Sequence, residues 1–301
     1  MFDSGYLLAS GLSHIMISHM PPKLLRIVNL IGIKGVHHIG MANVTRAAFF
    51  HALRCEWSEC IQYAELIRLG SRHSPAYTTY CEAIFRYVKS VEDNDKSEME
   101  RAVQLLQDVP SVRVRYFGKS VTLEKSAVQR AEKWANTHQC SLLPDMDLLY
   151  QWNMLSFIRG NAMLLNRFMD RIVVQIDRYS SDLKTSDYLD NYLTALFYKG
   201  IIHRLSSQYT DARKCFKTVF EEEARISHEF AIPPQAVLEL GLVELELNNG
   251  DEAKMWLKKC TQDYSNYTNE NFVHLRVYAA LRELGVSTDK QTVNQNMCLY
   301  S

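Results

Sequence analysis

The sequence predicts an all-α chain in which helical hairpins stack as a right-handed solenoid, and three observations carry that expectation. Apolar residues recur at helical spacing along nearly the whole chain. Only 12 Gly and 7 Pro punctuate 301 residues, too few for the turns of a many-stranded β fold. Near the C-terminus a segment repeats: Asp211-Ala212-Arg213-Lys214-Cys215-Phe216-Lys217 aligns with Glu252-Ala253-Lys254-Met255-Trp256-Leu257-Lys258 at an offset of 41 residues.

Residues 1–290 read as one helical-repeat domain and 291–301 as a flexible tail. The first element, 1–40, reads as two packed helices. Tyr6–Met20 is apolar but too short to span a bilayer, carries Ser10, Ser13, His14, Ser18 and His19, and stops at Pro21-Pro22. Asp3 stands where a signal peptide would carry basic residues. Leu24, Leu25, Ile27, Val28, Leu30 and Ile31 then mark a helical face that Gly32 ends, and Gly32–Gly40 reads as a helix–helix turn. A peripheral, membrane-surface role for residues 6–31 is the alternative.

Residues 41–110 hold degenerate repeats. Val44–Leu53 pairs with Ser58–Leu69, with Ala48 and Cys60 in the small positions. Pro75–Val88 pairs with Glu98–Leu106 across a polar loop, 92–96, with Lys96 or Ser97 near the next helix start. Residues 111–182 give an extra helix, Leu123–Thr137, and a longer pair, Asp145–Phe157 with Met163–Tyr179. Residues 183–285 carry the clearest repeats and a closing helix.

In each of these clear units a glycine, Gly200 or Gly241, is followed twelve residues later by an alanine, Ala212 or Ala253. That spacing is the one of the tetratricopeptide helix pair. A small residue on each helix lets the two backbones approach, and Phe216 and Leu257, one turn beyond the alanines, fill the gap between them.

Composition narrows the function. Lys plus Arg (34) equals Asp plus Glu (34), so no net field draws nucleic acid or an anionic membrane. The seven cysteines are odd in number and include no Cys-x-x-Cys pair, the usage of a reducing, cytoplasmic setting.

Motifs that could carry chemistry reduce to structure. Gly118-Lys119-Ser120 resembles the end of a phosphate loop, but the glycine needed five residues earlier is Arg113, and Val114–Phe117 are bulky. A turn followed by a helix capped by Ser120 or Thr122, with Glu124 near its start, accounts for the stretch. His51, Cys55 and Cys60 lack the paired spacing and fourth ligand of structural zinc. Asp145 and Asp147, just after Pro144, suit the positive end of a helix dipole, and Glu221-Glu222-Glu223 reads as a solvated face. Neither metal nor cofactor is expected. Cys298-Leu299-Tyr300-Ser301 has the outline of a prenylation signal at Cys298, weakened by Tyr300 and by the lack of neighbouring basic residues.

Several segments together carry a family resemblance. They are Met20–Arg26 with Leu30-Ile31-Gly32, Gly118-Lys119-Ser120 with Leu123-Glu124-Lys125, Leu143-Pro144 with Tyr150-Gln151-Trp152-Asn153, and Glu270–Arg276 ahead of Ala279-Ala280-Leu281. In these the chain resembles the tetratricopeptide repeat protein 39 family and its fungal inclusion-body-clearance relatives. Members are usually about twice as long, so the likeness is to a C-terminal half, and Ile33–His38 replaces the family's usual turn. The resemblance implies a non-catalytic adaptor in the cytoplasm or at an organelle surface. Relatives are connected with protein turnover, lipid homeostasis or cilia.

In a tetratricopeptide pair the first helix lines the concave groove. That points to Thr194, Phe197, Ile201, Arg204 and Leu205 in one unit, and Gln235, Leu238, Leu242, Leu245 and Glu246 in the next. The Lys and Asn of chaperone-tail clamps are absent. An apolar groove is expected to hold either another helix of the same protein or a partner's amphipathic helix or peptide. The N-terminal half of the family architecture is one candidate occupant.

Overall fold

A computed structural model describes residues 37–70, 74–115, 122–137 and 140–286, with side chains from Asn43 onward. The helices expected before residue 37, the 116–120 stretch and the tail with Cys298 lie outside the described residues. Among those described there are twelve α-helices and no strand. They group into two compact units, one ending at Met154 and the next beginning at Leu155.

The first unit holds α1 (His37–Leu53), α2 (Trp57–Gly70), α3 (Pro75–Asp93), α4 (Lys96–Asp108), α5 (Thr122–Thr137) and α6 (Pro144–Gln151). Helix α1 begins inside the stretch read as a turn. Helix α4 begins at Lys96, where the sequence placed a helix start, and Asp95 caps it: its carboxylate accepts from the Ser97 and Glu98 amides. Helix α6 stops at Gln151, short of the expected 157, because Asn153 takes a left-handed backbone, φ 53°. The Trp152 indole is held instead by donating to the Tyr77 hydroxyl at 2.5 Å.

The second unit holds α7 (Ala162–Tyr179), α8 (Ser186–Leu205), α9 (Tyr209–Glu221), α10 (Ile232–Glu246), α11 (Gly250–Gln262) and α12 (Glu270–Glu283). The boundaries Leu205, Tyr209 and Glu221 recur 41 residues later at Glu246, Gly250 and Gln262. Consecutive helices pack on one another from α1 to α5 and from α7 to α12, as in a helical-repeat stack, and α6 packs on α3 and α1.

Four hairpins share one turn. Cys55, Asn94, Ser207 and Asn248 all have φ between 53° and 60°. The amide of the next residue reaches back five positions in each: Glu56 to His51, Asp95 to Ser90, Gln208 to His203 and Asn249 to Glu244, at 2.8–3.0 Å. This is the Schellman closure of a helix end. Asn tolerates the left-handed region, whereas Cys55 and Ser207 are held there at a cost of about 1 kcal/mol.

Close approach follows the turn. A Cβ added to Gly200 would sit 2.6 Å from Phe216 Cε1, and one added to Gly241 would sit 2.7 Å from Leu257 Cγ. Ala212 and Ala253 are fully buried opposite. In α1–α2 the same two positions are Ala48 and Cys60, and the Cys60 thiol donates to the Ala48 carbonyl at 3.2 Å. The α3–α4 pair keeps the turn but places Tyr87 and Met99 at the equivalent positions.

These distances fix the sign of a substitution. Gly200→Ala gains up to about 1 kcal/mol of helix propensity but overpacks Phe216 by about 1–3 kcal/mol. A net loss of up to about 2 kcal/mol is expected in urea unfolding. A variant at least as stable as wild type would contradict the approach.

Candidate functional site

The groove positions lie on α8 and α10, side by side in the second unit. Thr194, Phe197, Ile201, Arg204, Gln235 and Leu238 are all buried. The Thr194 hydroxyl donates back to the Asp190 carbonyl at 2.8 Å, and the Phe197 ring lies 5.9 Å from that of Phe216. Helix α7 packs along α8. Leu242 and Leu245 are half-buried beside the cluster of Val237, Leu238 and Leu257. They retain the apolar surface that these positions present to solvent.

A chain of ion pairs runs along this face. The Arg204 guanidinium bridges two carboxylates, Nε to Glu239 at 2.8 Å and Nη1 to Glu246 at 2.7 Å. Arg159 grips Glu246 with both terminal nitrogens, at 2.9 and 2.7 Å. Arg276 on α12 closes on the other side of Glu239 at 2.7 Å. The Glu239 side chain has no exposed surface and Arg204 has 8%, whereas Arg159 has 41%, so the chain runs from the core to the rim. A buried carboxylate survives only with such partners. Burial pushes the Glu246 carboxyl up, but the Arg159 hydrogen bonds and the Arg204 charge outweigh it and hold the group below its ordinary value.

Other buried acids act as internal caps. Asp190 accepts the amides of Ser227, His228 and Glu229 just ahead of α10. Glu244 takes Arg213 at 2.6 Å and the Asn249 side chain at 2.8 Å. In the first unit Glu82 lies between Arg68 and Arg86, and Arg86 reaches on to Glu98. Glu124, read only as part of a helix start, is fully buried and accepts the Tyr77 amide at 3.0 Å and the Val114 amide at 2.9 Å.

The residues considered for metal chemistry have other contacts. His51 Nδ1 is 2.8 Å from Glu56, and the ring stacks on Tyr63. Asp147 pairs with Arg130 at 2.5 Å. No cluster of three or more His, Cys, Asp or Glu able to hold a metal occurs among the described residues. Nor is any described helix long and apolar enough to cross a membrane.

The sequence profile of the Iml2/Tetratricopeptide repeat protein 39 family matches residues 1–55 and 47–206. The curated Tetratricopeptide repeat protein ttc-39B of Caenorhabditis elegans is 30% identical over 241 residues, 80% of this chain. This chain belongs to the Iml2/tetratricopeptide repeat protein 39 family. It spans about 40% of the length of that relative. The family match ends at residue 206, so it covers α8 but not α9–α12, where the two repeated segments and three of the five ion-paired residues lie.

The helical spacing singled out Arg204 and Glu246 but gave no sign of Arg159, Glu239 and Arg276. Their partners lie 35 to 87 residues away in the chain. The 41-residue repeat gives no cue either, since Glu239 and Glu246 align with Tyr198 and Leu205.

Truncation of the central carboxylate, Glu239→Ala, leaves Arg204 and Arg276 without their shared partner and is expected to cost about 3–5 kcal/mol. For Glu246 the sign follows from its lowered folded-state value. Its contribution is complete above the unfolded carboxylate range, about pH 4.3, and disappears as pH falls through the folded value. Urea unfolding of Glu246→Gln between pH 7 and pH 3 should therefore show a shallower acid-side loss than wild type. An unchanged slope would contradict the pairing.

Proposed function

We propose that this chain is a non-catalytic protein-interaction scaffold, an adaptor that docks an amphipathic helix or peptide along the α8–α10 face. Membership of a tetratricopeptide repeat family is the observation that carries the reading. Stacked hairpins in both units support it, since such stacks hold a surface rigid at low conformational cost. The face combines a half-buried apolar strip, Leu242 and Leu245, with a charged rim, Arg159 and Glu246. Leu242 and Glu246 are one helical turn apart and share a face of α10. The apolar side of an incoming helix covers the two leucines, and its polar side meets the rim. The buried members Phe197, Ile201, Gln235 and Leu238 act as the floor that fixes this geometry.

Affinity purification from eukaryotic cells, comparing wild type with Arg159→Glu plus Leu242→Asp, tests the face. Circular dichroism melts confirm that the variant is folded. A defined subset of partners should be lost. A folded variant that keeps every partner rules the face out. Calorimetric titration with ATP and GTP checks the non-catalytic part, with no binding expected at micromolar concentration. Binding that Lys119→Ala abolishes would overturn it.

A further inference from the structure

The first unit contains a half-open cavity of about 220 Å³ that the proposed interaction face does not involve. Helices α1, α2, α3 and α5 form its walls, with Trp152 beyond the end of α6. Among the described residues, four aromatic rings line it. Phe49 meets Phe85 edge-on at 6.3 Å, and Trp152 tilts against Phe49 at 6.1 Å and against Tyr77 at 6.2 Å. Trp152 is 38% exposed, so its ring is part of both the wall and the surface.

The polar groups of the lining are already engaged. The Tyr77 hydroxyl accepts from the Trp152 indole at 2.5 Å, and the Thr78 hydroxyl donates to the Pro75 carbonyl at 3.2 Å. Burial pushes the Cys81 thiol up to about 12, so it stays protonated and uncharged. Among the described residues that line the cavity there is no Asp, Glu, Lys or Arg. A phosphate or carboxylate would find no counter-charge there, and desolvating it would oppose entry. Water is held no better, since it needs two to four polar partners to stay in such a space.

Size and chemistry therefore agree. A dry apolar cavity of about 150 Å³ accepts benzene, and this one is larger. We infer that the cavity between α1, α2, α3 and Trp152 is a binding site for a small uncharged apolar molecule, of benzene to indole size. The ring edges and faces of Phe49, Phe85 and Trp152 offer an aromatic guest the offset and edge-on contacts that such rings favour. Because the guest touches several helices of the unit, binding stabilises the folded unit by mass action.

The test is calorimetry and thermal unfolding of the whole chain with benzene and with indole, using benzoate as the charged control. Each neutral probe should bind at one site with a Kd of about 1 mM or tighter and raise Tm, with benzoate at least about tenfold weaker. Ala64→Leu, which extends a buried wall residue into the space, should remove binding without lowering Tm. If that variant does not fold, Thr45→Leu fills the same cavity from a half-buried position and should also remove binding. The inference is overturned if neither neutral probe binds wild type, if benzoate binds equally well, or if a folded, filled variant binds as wild type does.

Discussion

Gly200 and Gly241 bring the backbones of α8 and α10 against the ring of Phe216 and the side chain of Leu257, and the second unit is organised around those two approaches. With bare Cα atoms at the contact, each second helix lies close enough for its alanine, Ala212 or Ala253, to be fully buried. The left-handed residues Ser207 and Asn248 then aim each second helix back along the first. Turn and small pair act together, because a Schellman closure sets direction while the absent side chain sets distance. The first unit shows how far the two can be separated. Its α3–α4 hairpin keeps the turn at Asn94 with Tyr87 and Met99 at the contact positions.

Buried carboxylates supply what apolar packing leaves undefined. Glu239 between Arg204 and Arg276 ties α8, α10 and α12 together through one buried carboxylate. Glu82 between Arg68 and Arg86 does the same for α2 and α3. Each such group is costly to bury and more costly to leave unpaired. The arrangement penalises alternative registers more than it stabilises the native one. On the α8–α10 face the same chain of charges reaches solvent at Arg159, so the groups that set the register also form the rim of the proposed docking surface.

What the sequence made legible was the part encoded locally. Helical period, the twelve-residue step from Gly200 to Ala212 and from Gly241 to Ala253, and the plugging side chains Phe216 and Leu257 all lie within one hairpin. The turns were harder to read. Cys55 and Ser207 occupy left-handed positions where glycine or asparagine would have been the signal. The ion pairs were invisible, because a periodic pattern cannot say which of many arginines meets a glutamate two helices away. Burial was also hidden. Phe197 and Leu238 fit a groove face by spacing, and only the neighbouring helices show that they are fully buried. The cavity escaped for the same reason: Phe49, Phe85 and Trp152 each resemble ordinary core residues until α1, α3 and the end of α6 converge on one space.

The account stands most directly on the contact between Gly200 and Phe216. A double-mutant cycle of Gly200→Ala and Phe216→Leu, followed by urea unfolding, isolates it. If the added methyl is costly because it meets that ring, shortening the ring should relieve it. The double variant should then be more stable than the sum of the single effects predicts, by about 1 kcal/mol or more. Additivity within about 0.3–0.5 kcal/mol would mean that the two residues do not meet, and the register built on their contact would be wrong.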